Sequence, residues 1–238
     1  MKIAAFDTSS GSGSIAIMDG DSLVGETIAG RVGAHSEWLM RSFHGLVKDA
    51  GISVRDIGLF AVAVGPGSFT GLRIGVSAVK GLAWAAEKKV VAVSTLEALA
   101  MNLRYTDVRV CPMLDARKGE VYAALYSFTE GGLTVIVKES VMTPDVLFKT
   151  VEEAGSGAPV AFLGNGVEVY LEAIRKGVKK NVITSAPLWN IRASNVGLLA
   201  FERADTAIDP ASLTPVYLRR GVLPPLSEAE IKGGSERS

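Results

Sequence analysis

Ile3-Ala4-Ala5-Phe6-Asp7, followed by Thr8-Ser9-Ser10-Gly11-Ser12-Gly13, is the stretch on which the fold turns. A short apolar strand ends at an acid and meets a small polar turn. Ile15 to Met18 returns as a second strand, Asp19-Gly20-Asp21 turns again, and Leu23 to Ile28 supplies a third. Far downstream the same order recurs. Val108 to Leu114 runs into Asp115, Ala116-Arg117-Lys118-Gly119 turns, and Val121 to Phe128 returns. Glu130-Gly131-Gly132 then turns and Leu133 to Val137 closes the unit. A three-strand meander with an aspartate at its first bend therefore occurs twice.

Between the two meanders the pattern predicts a helix over 36–50, a strand over 59–64, a helix over 72–87 and a strand over 90–93. After the second come a helix from Pro144, a strand over 160–163 and the turn Gly164-Asn165-Gly166, which opens a helix to about Lys176. A strand over 182–184 and a helix from Ala193 to Ala204 follow. Two such halves facing a cleft resemble the actin, sugar-kinase and Hsp70 superfamily. That resemblance implies an α/β, two-lobed, actin-like (ASKHA) fold of duplicated RNase H-like units, with nucleotide phosphates meeting the two bends. The expected division is a first lobe over 1–104, which binds the partner, a second over 105–222, and a flexible tail over 223–238. The helix over 193–205 is a candidate to pack back on the first lobe.

The 238 residues suffice for two small domains. Lys and Arg number 25 and Asp and Glu 25, so the chain carries no overall basic field with which to hold nucleic acid by itself. A single cysteine, Cys111, allows no internal disulfide and suits a reducing compartment. The N-terminal apolar run is too short for a signal-peptide core, and no stretch reaches the ~18 apolar residues of a membrane span. The expectation is a cytoplasmic protein without a membrane segment.

The apolar strand over 59–64 runs into Gly65-Pro66-Gly67-Ser68-Phe69-Thr70-Gly71 at the start of a helix. Glycines there could turn backbone amides toward an anion at the helix N-terminus. The spacing fits neither a Walker A loop nor a dinucleotide fingerprint. Two readings stay open: an anion site, or a tight strand-to-helix turn with Thr70 as N-cap. The candidate nucleotide or anion residues are Asp7, Thr8, Ser9, Gly65, Gly67, Ser68, Asp115 and Gly164. Asp7 and Asp115 either hold a hydrated magnesium ion across the cleft or cap backbone amides.

Helical periodicity assigns Leu72, Val76, Val79, Leu82, Ala83 and Ala86 to a core stripe and Arg73, Ser77, Lys80 and Trp84 to another face. In the preceding helix Leu39, Phe43, Leu46, Val47 and Ala50 form the core stripe, while Trp38, Arg41, Ser42 and Gly45 lie opposite. Two neighbouring helices that each present a Trp and an Arg outward suggest a helix–helix contact with another chain. Left alone, the same face would pair with a second copy, giving a homodimer.

Much chemistry is missing. His35 and His44 are the only histidines, and nine helical steps turn about 900°, placing them on opposite faces. No metal site is expected. No serine stands in a nucleophile elbow, and no residue is assigned a catalytic role.

Gly65 to Gly75 closely resembles the TsaB (YeaZ) family, which takes part in forming threonylcarbamoyladenosine at tRNA position A37. Asp7-Thr8-Ser9, His35-Ser36-Glu37, Ser94 to Ala100, Leu114 to Tyr122 and Pro215 to Arg219 add to the resemblance, which spans nearly the whole chain. It implies a non-catalytic subunit that pairs with and activates a TsaD-type paralogue through helices of the first lobe. A TsaE-type ATPase joins through the complex, and tRNA is met only through the complex. The paralogue carries a metal-binding His-x-x-x-His where this chain has Thr95 and Leu99. Related proteins also carry glycoprotease-like (M22) labels, which nothing in this chain's chemistry supports. Ala116-Arg117-Lys118 stands where nucleotide binders of the superfamily have small glycines, so no cofactor is assigned, with ATP or ADP and magnesium left to the complex. The alternative class is an independent ATPase or phosphotransferase using Asp7, Asp115 and Gly164-Asn165-Gly166.

Overall fold

A computed structural model describes residues 1–30, 35–155 and 157–219, without the side chains of His35 and Ser36. The expectations for the 223–238 tail and the orientation of His35 lie outside the described residues.

The first sheet contains β1 (Lys2–Asp7), β2 (Gly13–Asp19), β3 (Ser22–Ala29), β4 (Ile57–Gly65) and β5 (Val90–Ser94), in the order β3-β2-β1-β4-β5. The second contains β6 (Arg109–Arg117), β7 (Glu120–Thr129), β8 (Gly132–Met142), β9 (Val160–Leu163) and β10 (Asn181–Ile183), in the order β10-β9-β6-β7-β8. Written from their edges the two orders are the same. In each sheet the meander is antiparallel and the two later strands are parallel. This is the duplicated α/β unit of the two-lobed actin-like fold.

The helices are α1 (His35–Asp49), α2 (Phe69–Ala85), α3 (Thr95–Ala100), α4 (Pro144–Ala154), α5 (Asn165–Gly177) and α6 (Ala193–Glu202). Helix α3 is absent from the sequence-based reading. Its signal is an N-cap serine: Ser94 accepts the amides of Leu96 and Glu97. At six residues it has no periodic stripe to detect.

The central strands are apolar on both faces because both are covered. Ala4 and Phe6 of β1, with Phe60, Val62 and Val64 of β4, face Leu39, Phe43, Val76 and Val79 of α1 and α2. Ile3 and Ala5 face the opposite way, into a core shared with α3, α6 and residues Val110, Leu114, Tyr126 and Leu163 of the second sheet. Small residues decide how closely α6 approaches. A Cβ on Gly197 would stand 2.7 Å from the Met18 side chain and 3.3 Å from Ala5 Cβ. Each large apolar side chain buried in these layers contributes about 1.5–3 kcal/mol. The second sheet's other face packs on α4 and α5 through Leu147, Phe148, Val151, Val167 and Ile174. Cys111 lies fully buried there, and burial pushes its thiol pKa up. Among the described residues no helix is long and apolar enough to cross a membrane.

Candidate functional site

The bend after β1 and the loop before α2 are built against each other. Asp7 Oδ1 accepts the Ser9 amide at 3.1 Å and the Ser9 hydroxyl at 2.5 Å. The Ser9 carbonyl accepts the Ser68 amide at 2.7 Å, and the Thr8 hydroxyl donates to the Gly71 carbonyl at 2.7 Å. Ser68, not Thr70, is the N-cap of α2: its side chain accepts the Gly71 amide. The contact to Ser9 fixes Ser68 as the entry point of the helix, a constraint from 59 residues away that local sequence does not carry.

The glycines of the loop are required by this packing. A Cβ on Gly67 would lie 2.2 Å from the Ser9 carbonyl oxygen, and one on Gly71 2.0 Å from that of Thr8. One on Gly75 would meet the Thr8 hydroxyl at 2.4 Å. Gly65, with φ at +132°, lies against the Val216 carbonyl, 2.3 Å from where its Cβ would be. The chain's own carbonyls therefore pack directly on these glycines, and the amides of Ser68, Gly71 and Leu72 are bonded within the chain.

Asp7 is fully buried, and its Oδ2 has no hydrogen-bond partner among the described residues. Burial raises its pKa from the ordinary 3.8 to about 6, against the lowering effect of the Ser9 hydrogen bonds.

At the second bend Asp115 also caps: its Oδ1 accepts the Arg117 amide at 2.9 Å, and its Oδ2 pairs with the Arg117 guanidinium at 3.2 Å. The Asp115 amide donates to Asn165 Oδ1 at 3.0 Å. Arg117 and Lys118 both hold positive φ, at 63° and 55°, a region that non-glycine residues enter at a cost. Gly164, with φ at +104°, packs on the Met113 carbonyl and on Leu99.

Between the bends lies a cleft of about 580 Å³. Of the sequence-predicted set, Ser9, Gly67, Ser68 and Asp115 line it, while Asp7 and Thr8 are buried behind the bend. The structure adds Arg117, Tyr122, Tyr217 and Arg219 to the wall. Tyr217 and Arg219 come from the far end of the chain, and only the motif resemblance pointed to them.

Helices α1 and α2 lie side by side and enclose a groove of about 640 Å³, lined by Met40, Phe69, Thr70, Arg73, Ile74 and Ser77. Arg41, Arg73 and Ser77 are exposed, Ser42 and Gly45 half-buried, and Trp84 keeps 67% of its surface in solvent. Two residues placed on this face behave otherwise. The Trp38 ring folds onto the sheet and covers Gly13, where a Cβ would stand 2.7 Å from it. Gly13, lacking a side chain, leaves the hollow that draws the indole inward. Lys80 is half-buried, its Nζ donating to the Leu213 carbonyl at 3.3 Å, because the C-terminal segment runs beneath that side of α2.

At the junction of the lobes Thr95 and Leu99 are completely buried. Beside them Glu139 Oε1 accepts the Ser94 hydroxyl and, at 2.9 Å, the Tyr126 hydroxyl, while Glu97 pairs with Arg203 at 2.5 Å. Burial raises the pKa of Glu139. Among the described residues no group of three or more His, Cys, Asp and Glu side chains gathers to hold a metal.

The family model described as TsaD, tRNA N6-adenosine threonylcarbamoyltransferase, matches residues 28–214. The tRNA threonylcarbamoyladenosine biosynthesis protein TsaB of Bacillus subtilis is 37% identical over 234 residues, covering 98% of this chain and 97% of that protein. The protein of the same description from Escherichia coli is 33% identical over 156 residues, covering 64% of this chain and 67% of its own length. Among solved structures, YeaZ from Pseudomonas aeruginosa superposes with a TM-score of 0.76 at 28% identity, over 91% of this chain and 99% of that one.

Proposed function

We propose a role from one premise: this chain belongs to the TsaB family of tRNA threonylcarbamoyladenosine biosynthesis proteins, whose fold it shares with the TsaD transferases. The role is that of a non-catalytic subunit that binds a TsaD-type paralogue through α1 and α2 and supports threonylcarbamoyl transfer to tRNA by that paralogue.

The observation that carries this reading is the α1–α2 face. An apolar groove with Met40 and Phe69 on its walls continues along α2 to an exposed Trp84, and Arg41, Arg73 and Ser77 lie alongside. Exposed Trp and Arg are the residue types that anchor protein–protein contacts. A non-catalytic role is supported by positions 95 and 99, where a buried threonine and leucine stand and neither can serve as an imidazole ligand. The close packing of Gly65, Gly67 and Gly71 on the chain's own carbonyls, together with Arg117 and Lys118 at the other bend, supports a subunit that keeps no nucleotide of its own. Contact with tRNA and with a TsaE-type ATPase then runs through the paralogue.

Reconstitution tests the role. Threonylcarbamoyl transfer to tRNA by the paralogue and the ATPase is measured with and without this chain. The expected result is transfer that depends on it; equal transfer in its absence contradicts the proposal.

A further inference from the structure

The segment Leu213–Arg219 touches both lobes and the α1–α2 face within seven residues. Leu213 is buried, and its carbonyl accepts Lys80. The Val216 amide donates to the Val64 carbonyl at 2.7 Å, and its own carbonyl lies against Gly65. That anchors the segment to the end of β4. Tyr217 then turns onto α2: its ring centre is 5.2 Å from that of Phe69, and its hydroxyl accepts Arg73 Nε at 3.2 Å. The same Arg73 guanidinium sits 3.8 Å above the Phe69 ring. Two residues later the Arg219 guanidinium is paired with the Glu120 carboxylate of the second lobe and donates to the Arg117 carbonyl at 3.4 Å.

Tyr217 and Arg219 both line the cleft, while Phe69 and Thr70 line the cleft on one side and the α1–α2 groove on the other. A single turn of chain is thus the wall between the two. Two residues of fully extended backbone span at most about 7 Å, so a shift of the backbone at Tyr217 is passed directly to Arg219.

We infer that Leu213–Arg219 is a strap that couples the α1–α2 face to the closure of the cleft. This rests on the reading of that face as the partner surface. In the clasped state Tyr217 holds Arg73 and Phe69, and Arg219 holds Glu120. A partner that takes Arg73 and Phe69 into its own contact competes with Tyr217 for the same guanidinium and ring. Its gain releases Tyr217, and the Arg219–Glu120 pair across the cleft opens with it. The coupling is reciprocal: a change that frees Arg219 loosens Tyr217 and makes Arg73 and Phe69 available to the partner.

The test uses the full chain carrying Arg219→Ala or Tyr217→Ala. Hydrogen exchange of the 115–121 hairpin is measured on the isolated chain, and affinity for the TsaD-type paralogue is measured by calorimetry. Arg219→Ala is expected to speed hairpin exchange and to tighten paralogue binding about three- to tenfold, the size of a modest coupling. A gain in affinity from deleting a side chain that lies across the cleft from the groove has no explanation in lost contact. Hairpin exchange at the wild-type rate, or paralogue affinity equal to or weaker than wild type, overturns the strap. Should the paralogue fail to bind even the wild-type chain, the partner reading falls, and exchange in Tyr217→Ala decides the strap alone. Faster exchange at 115–121 sustains it, and unchanged exchange overturns it.

Discussion

The Ser9 carbonyl accepts the Ser68 amide at 2.7 Å, so the first bend of the chain is bonded to the residue that starts α2. This contact, with the Thr8 carbonyl seated on Gly71, gives the Gly65–Gly75 loop its structural task. The loop sets the angle at which α2 leaves the sheet and thereby the position of Arg73, Ser77 and Trp84 on the surface.

Gly71→Ala places a methyl group 2.0 Å from a backbone oxygen that has little room to retreat. It is expected to destabilise the chain by about 2–4 kcal/mol. Gly81→Ala, in the same helix with open space around the added carbon, should instead stabilise by about 0.5–1 kcal/mol. Urea denaturation of both variants checks the contrast in sign.

Asp7 should make stability depend on pH. Its folded pKa, about 6, lies above the ordinary 3.8, so the folded chain binds the proton more tightly than the unfolded one. The contribution is present in full below about pH 4 and is lost as pH rises through 6, amounting to roughly 3 kcal/mol. Asp7→Asn removes the titration. The stability difference between variant and wild type should move in the variant's favour by roughly 2–3 kcal/mol between pH 4 and pH 8. A difference independent of pH would show that the Asp7 carboxyl is not desolvated.

Lys118 is exposed and sits at positive φ in the turn between β6 and β7. Lys118→Gly relieves the left-handed backbone at some cost in chain entropy, for a net gain of about 0.5–1 kcal/mol. A rise in melting temperature checks it, and a fall would mean that the side chain contributes a contact of its own.

Calorimetry of the isolated chain with Mg-ATP should give no binding heat at millimolar nucleotide. The carbonyls of Thr8, Ser9 and Val216 pack on the loop's glycines, and Arg117 and Lys118 crowd the other bend. Measurable heat would favour the alternative class, an independent nucleotide-dependent enzyme.

The repeated meander was legible in the sequence because both copies read as strand, acid, turn, strand, and the two sheets carry the same strand order. The core face of α2 was also legible: Leu72, Val76, Val79 and Ala83 are buried at helical spacing. What escaped depends on partners remote in the chain. Trp38 lies on the outward side by angle alone, yet the hollow over Gly13 draws its ring inward. Lys80 is polar but binds a carbonyl 133 residues later. Nothing around Val216 reveals that it pairs with Val64, since a lone extended segment has neither a periodicity nor a turn to mark its partner. The cleft's Tyr217 and Arg219 were missed for that reason.

The most direct test of the account is the affinity of this chain for its TsaD-type paralogue, measured by calorimetry with wild type, Trp84→Glu and Tyr105→Glu. Tyr105 is 95% exposed, on the segment that joins the lobes, and serves as the control. Binding weakened at least about tenfold by Trp84→Glu and unchanged by Tyr105→Glu is the predicted result. Wild-type affinity in the Trp84→Glu chain would contradict the assignment of the α1–α2 face as the partner surface.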